Sequence, residues 1–190
     1  YCLVYIGVTA ATTWLAARKI GALQARQDAW LRGHREELDK EARKARKAAD
    51  KKVRWRWALG CMLLNFGILA VVKYTDFVLG SVNGVLSAAG AGTQLPLANL
   101  VLPMGISFYT FQSMGYLIDV YWGKYPPERS LGRFALFVTF FPQLIQGPIS
   151  RFSDLSQTLY AEHRWDSRPI AMGGMRALWG LGKKLINADP

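Results

Sequence analysis

Apolar and charged residues alternate in blocks along this chain instead of mixing. Residues 1–17 form an apolar run closed by Arg18 and Lys19, and 18–56 is rich in Ala, Glu, Lys and Arg. Residues 57–73 are apolar again, with Trp55 and Trp57 at one end and Lys73 and Tyr74 at the other. Such segregation is the pattern of a polytopic membrane protein, with 1–17 and 57–73 as spans and 18–56 as a basic cytoplasmic helix or loop between them. Within that connection 28–56 reads as one charged helix, because Glu36–Lys40, Asp39–Arg43 and Asp50–Arg54 stand four apart with the acid first. Residues 76–89 alternate Phe77, Val78, Val82, Val85 and Leu86 with Ser81, Asn83 and Ser87, which suits an interfacial helix. Gly90 to Pro96 breaks it.

Residues 102–122 read as a transmembrane helix, with Pro103 in its first turn. Tyr109, Gln112, Tyr116 and Asp119 follow at spacings of three, four and three and share one face. A polar stripe with an acid is costly in lipid, so this face meets protein or water and is the first candidate for a functional surface. Residues 131–149 carry Pro142, Gln143, Gly147 and Pro148, which predicts a broken or re-entrant helix lining protein or a wet cavity. Residues 150–169 read as a polar loop. Residues 170–187 read as a transmembrane or tilted helix, with Lys183 and Lys184 near its end. The expected fold class is therefore all-α, an integral membrane protein of transmembrane and tilted or broken helices.

Charge and cysteine content sharpen this picture. The formal charge is +11, yet residues 18–56 hold 14 Lys/Arg against 6 Asp/Glu, so +8 of it sits in one connection. A Lys/Arg excess between spans marks the cytoplasmic side, and no nucleic-acid module accompanies it, so nucleic acid is excluded as a partner. The localisation that follows is a cell membrane crossed several times. Cys2 and Cys61 lie in apolar runs and form neither a disulfide framework nor a metal site. The sequence opens without Met inside an apolar run and stops directly after another, which predicts a membrane domain truncated at both ends.

Candidate chemistry is sparse. Gly105, Ser107 and Tyr109 lack the closing glycine and the strand–turn–helix setting of a nucleophile elbow, and no phosphate loop or dinucleotide fingerprint is present. His34 and His163 both lie in polar segments, away from the apolar runs where a membrane general base belongs. Asp119 has two readings: a proton relay or substrate contact, or an interfacial residue beside Trp122 and Lys124. Arg151 either binds a phosphate or carboxylate or marks the interface.

LPMGISFYTFQSMGYLIDVY (102–121) followed by FFPQLIQGPISR (140–151) resembles the membrane-bound O-acyltransferase family. The resemblance is nearest to its bacterial alginate O-acetyltransferase branch. LNFGIL (64–69), VKY (72–74) and GKKLINAD (182–189) extend the resemblance from about Leu59 onward. It implies a ring of helices around a funnel in the bacterial inner membrane. Tyr109, Gln112, Tyr116, Asp119, Pro142, Gln143, Pro148 and Arg151 would line that funnel. It also implies a cytoplasmic acyl donor (acetyl-CoA or an acyl-carrier thioester) as cosubstrate, with no bound cofactor or metal. The acceptor would be a hydroxyl of an envelope polysaccharide or an extracytoplasmic acyl-accepting partner protein, with membrane lipid around the whole. The family's catalytic histidine sits in a Trp-His motif that no position here matches, so no catalytic residue is assigned and these 190 residues alone are expected to be inactive. The competing reading is a transporter or flippase for a lipid or glycan, with the stripe and the broken helix as a permeation path.

Overall fold

The computed structural model describes residues 2–34, 39–90, 95–98, 105–140, 151–162 and 167–188. The described residues are helical or irregular, without strands. They form α1 (Cys2–Gly33), α2 (Lys40–Ala88), α3 (Ile106–Tyr121), α4 (Leu131–Val138), α5 (Phe152–Leu159) and α6 (Ser167–Lys183), with a π-helical turn at Lys184–Ala188. Two compact units result, 1–159 and 160–190. The second contains α6, which buries none of its side chains within the chain: Leu178 and Trp179 are exposed.

The charged stretch 28–56 is not one helix. α1 ends at Gly33, and Asp39 starts α2 by accepting a hydrogen bond from the Lys40 backbone N–H at 2.7 Å. Glycine at a helix end and aspartate just before the next helix are ordinary stop and start signals. Asp50 turns back to Arg46, with Nε to Oδ2 at 3.6 Å, instead of forward to Arg54. Residues 57–73 and 76–88 lie in one continuous 49-residue α2, with no break between them. The polar groups that suggested a break are accommodated in place. Ser81 donates to the Phe77 carbonyl at 2.8 Å, within its own helix. Asp76 accepts from the Ala98 N–H at 2.9 Å, and Asn83 exchanges two bonds of 2.8 Å with the Leu95 backbone, so 95–98 is strapped along the helix.

α1, α2 and α3 pack pairwise and form the core of the first unit. α1 and α2 are registered by a buried polar cluster. Asn65 Nδ2 donates to the Cys61 carbonyl at 2.9 Å and to Thr12 Oγ1 at 3.2 Å, while Cys61 Sγ lies 4.0 Å from Thr13 Oγ1. Interhelical bonds of this kind average about 0.6 kcal/mol between membrane helices, so they set register more than stability.

The turn after α3 is held against α1. Trp14 Nε1 donates to the Glu128 carbonyl at 3.0 Å, and Gly21 lies against the Pro127 ring so closely that a Cβ there would overlap it. A Cβ at Gly7, in the same helix, would meet nothing. Alanine is favoured over glycine in a helix by about 0.8–1.0 kcal/mol, so Gly7→Ala should preserve or raise thermal stability in detergent. Gly21→Ala should lower it despite the same propensity gain, by the roughly 1–3 kcal/mol typical of an overpacked contact. Equal melting of the two variants would contradict the Gly21–Pro127 contact.

Candidate functional site

The stripe on α3 is enclosed by protein. Tyr109, Gln112, Tyr116 and Asp119 are all buried, between 1% and 8% exposed. Gln112 Nε2 donates at 3.2 Å to the Phe137 carbonyl, one of the last carbonyls of α4, which otherwise accepts a long 3.4 Å bond from the Phe140 N–H beyond the helix. The Tyr116 hydroxyl accepts from the Glu128 N–H at 2.8 Å. Its ring is the hub of an aromatic cluster, 4.6 Å from Phe134 and 4.8 Å from Phe152 between centroids, and Phe152 in turn meets Phe137 at 5.0 Å. Phe152 opens α5, so the first part of the expected polar loop 150–169 is a short helix pinned by that ring.

Asp119 owes its surroundings to the way α3 ends. Gly123 has φ 74°, a left-handed conformation that glycine adopts without the steric cost other residues meet. The Gly123 N–H reaches the Val120 carbonyl at 2.9 Å and the Lys124 N–H reaches the Asp119 carbonyl at 3.1 Å, the two bonds of a Schellman motif. This reversal carries the Lys124 side chain back onto the Asp119 carboxylate, where the two form an ion pair. The Tyr125 hydroxyl donates to the other carboxylate oxygen at 3.4 Å. Gln24 of α1 completes the helix end, donating to the Val120 and Tyr121 carbonyls at 3.1 and 3.0 Å.

A cavity of about 340 Å³ opens beside this end of α3, and Gln112, Tyr116, Asp119, Lys124 and Arg151 are among its walls. Three of the four stripe residues and Arg151 therefore share one space, which Tyr109 does not line. Pro142, Gln143 and Pro148 lie outside the described residues, as does His163. His34 is elsewhere, at the end of α1, with its ring stacked 4.8 Å from Trp30 and Nδ1 3.1 Å from the Trp30 carbonyl. Among the described residues no group of His, Cys, Asp and Glu gathers as a metal site would require. The cavity offers the Asp119 carboxylate, neutralised by Lys124, and the Arg151 guanidinium, which carries N–H donors and no acceptor, so the net offer is to an anion. Tyr125 had no role in the sequence pattern, which used Lys124 only as an interface marker beside Asp119; Gly123, four residues past Asp119, was the visible signal for the reversal that recruits both.

Burial pushes the Tyr125 hydroxyl well above its ordinary value of 10.0, the Asp119 charge adds to the rise, and Arg151 opposes it. The folded chain thus holds this proton longer than the unfolded chain. Its contribution to stability is fully present below about pH 10 and is lost as pH rises toward the folded value. Absorbance titration should show one tyrosine ionising only with unfolding, and Tyr125→Phe should make the loss of stability above pH 10 less steep. A Tyr125 that ionises freely in the folded chain would contradict its placement.

No family model matches the chain, and no solved structure matches it. Among curated relatives, the probable alginate O-acetylase AlgI of Pseudomonas syringae pv. tomato is 40% identical over 135 residues, which cover 70% of this chain and 26% of the relative. The protein of the same name from Pseudomonas aeruginosa is 39% identical over 135 residues, 70% of this chain and 25% of the relative. The peptidoglycan O-acetyltransferase of Helicobacter pylori is 32% identical over 159 residues, 70% of this chain and 29% of the relative. The chain spans about a quarter of the length of the curated relatives it matches. Over 70% of its length the chain is similar to bacterial proteins named for O-acetylation of alginate and of peptidoglycan.

Proposed function

We propose that this chain is part of the membrane domain of an enzyme that moves an acetyl group to hydroxyls of an envelope polysaccharide. The observation that carries the proposal is the similarity to proteins named for O-acetylation of alginate and of peptidoglycan. In such a transfer the acetyl carbon leaves the sulfur of a thioester donor and bonds to the acceptor oxygen, the hydroxyl proton passes to a base, and the thiolate is released.

Several features support a multi-pass inner-membrane setting. α2 contains a window long and apolar enough to cross a bilayer, of which only 28% is buried within the chain, unlike the core helix of a water-soluble fold. The C-terminal end of α3 lies level with the basic segments: Gln24 bonds its last carbonyls and the Trp55 ring stands 5.7 Å from Tyr121. By the positive-inside rule that end is cytoplasmic. The cavity there, with Lys124 and Arg151 in its walls, suits the phosphate of a donor such as acetyl-CoA or an acyl-carrier thioester. The stripe and Arg151 are then parts of the funnel wall, positioning reactants while the base comes from elsewhere in the whole protein. The acceptor is an envelope polysaccharide, reached directly or through an extracytoplasmic partner protein.

Deleting the gene should lower the O-acetyl content of an envelope glycan, and the whole protein should restore it. Gln112→Leu and Tyr116→Leu in the whole protein should impair restoration while membrane insertion persists. Unchanged acetylation of every envelope glycan after deletion would refute the proposal. The 190-residue chain alone should transfer no acetyl, since a positioned general base contributes about 10²–10⁴-fold and His34 is engaged with Trp30 away from the cavity. Turnover by the purified chain would overturn that assignment.

A further inference from the structure

A second cavity, of about 540 Å³, lies between α1 and α2 and has no part in the site above. Its walls include Leu15, Trp57, Gly60 and Leu64, with Lys19 and Arg56. The two helices run antiparallel: Thr12 meets Asn65, and two turns further along α1 Lys19 shares a cavity wall with Arg56, so Lys19 and Arg56 stand at one end and Leu64 at the other. That end is where both apolar runs stop, the level of the phospholipid headgroups. A further cavity of about 410 Å³ continues past it and shares Arg56 and Trp57.

The groove is apolar, open and roomy. Leu15, Trp57 and Leu64 are 54%, 49% and 47% exposed, so the chain itself does not cover it. A Cβ at Gly60 would meet no atom within 4 Å. Lys19 and Arg56 have no ion-pair partner among the described residues. An apolar groove that ends in two uncompensated cations at headgroup depth matches one occupant: an acyl chain below, a phosphate between the cations, and net negative charge on the whole.

We infer that the α1–α2 groove is a binding site for an anionic diacyl phospholipid of the cytoplasmic leaflet, with its phosphate held by Lys19 and Arg56. A zwitterionic lipid offers the same chain and phosphate but brings its own cation, and so competes poorly. The inference requires that α1 and α2 cross a bilayer, as proposed above, and is independent of acetyl transfer.

The test is native mass spectrometry of the chain released from micelles containing dioleoyl phosphatidylglycerol or dioleoyl phosphatidylcholine. The unaltered chain should retain the anionic lipid about five- to thirtyfold better, the scale expected of one or two basic side chains at a charged headgroup. Lys19→Gln with Arg56→Gln should abolish that preference. Lys44→Gln with Lys47→Gln, which removes the same charge farther along α2, should leave it intact. Gly60→Leu should reduce retention of both lipids without loss of helicity. Equal retention of the two lipids by the unaltered chain, or a preference that follows Lys44 and Lys47 as strongly as Lys19 and Arg56, would overturn the inference. Alkaline carbonate extraction separates the two proposals: release from membranes defeats the spanning reading and the lipid site with it. Retention in the membrane without lipid preference defeats the lipid site alone.

Discussion

The last carbonyls of α3 must find donors away from bulk water, and the arrangement around them follows from that need. Leaving one such group unsatisfied costs about 1–3 kcal/mol. The Trp122 N–H takes the Ile118 carbonyl, the Schellman bonds take those of Asp119 and Val120, and Gln24 takes those of Val120 and Tyr121. Each solution has a structural consequence. The Schellman turn brings Lys124 to Asp119 and Tyr125 beside it, and the Gln24 amide fixes α1 against the end of α3. The anion-facing cavity is what remains open once those donors are in place.

The same economy of polar groups runs through the rest of the first unit. Gln112 serves α4 as Gln24 serves α3, by giving an amide N–H to a carbonyl near a helix end. Asp76 and Asn83 serve the strap at 95–98 in the complementary way, each accepting from a backbone N–H. Polar residues scattered through apolar helices are thus mostly structural here, and the stripe on α3 both packs the bundle and walls a cavity. Burial and a place in a cavity wall are not alternatives at Gln112, Tyr116 and Asp119.

Much of this was legible in the sequence, and the exceptions have physical causes. Spacing alone placed Tyr109, Gln112, Tyr116 and Asp119 on one face, because a helix period acts within a single element. The break between α1 and α2 was signalled by Gly33 and Asp39, but the regular acid–base spacing across 28–56 masked it. Continuity of α2 through Asp76, Ser81 and Asn83 could not be read locally, since Asp76 and Asn83 find partners at 95–98 that only the folded path brings near. Phe152 looked like one apolar residue in a polar stretch. Its place in the ring cluster depends on Tyr116 and Phe137, which are distant in sequence. The similarity to proteins named for O-acetylation rests on long motifs and was visible before any coordinate.

α2 runs for 49 residues with no proline and no interruption, about 74 Å at 1.5 Å per residue. That is more than twice the thickness of a bilayer's hydrocarbon core, about 30 Å. A single rod of this length carries the basic residues from Lys40 to Arg56 and the strap at 95–98 on opposite sides of Asn65, where the Thr12 contact holds it near its middle.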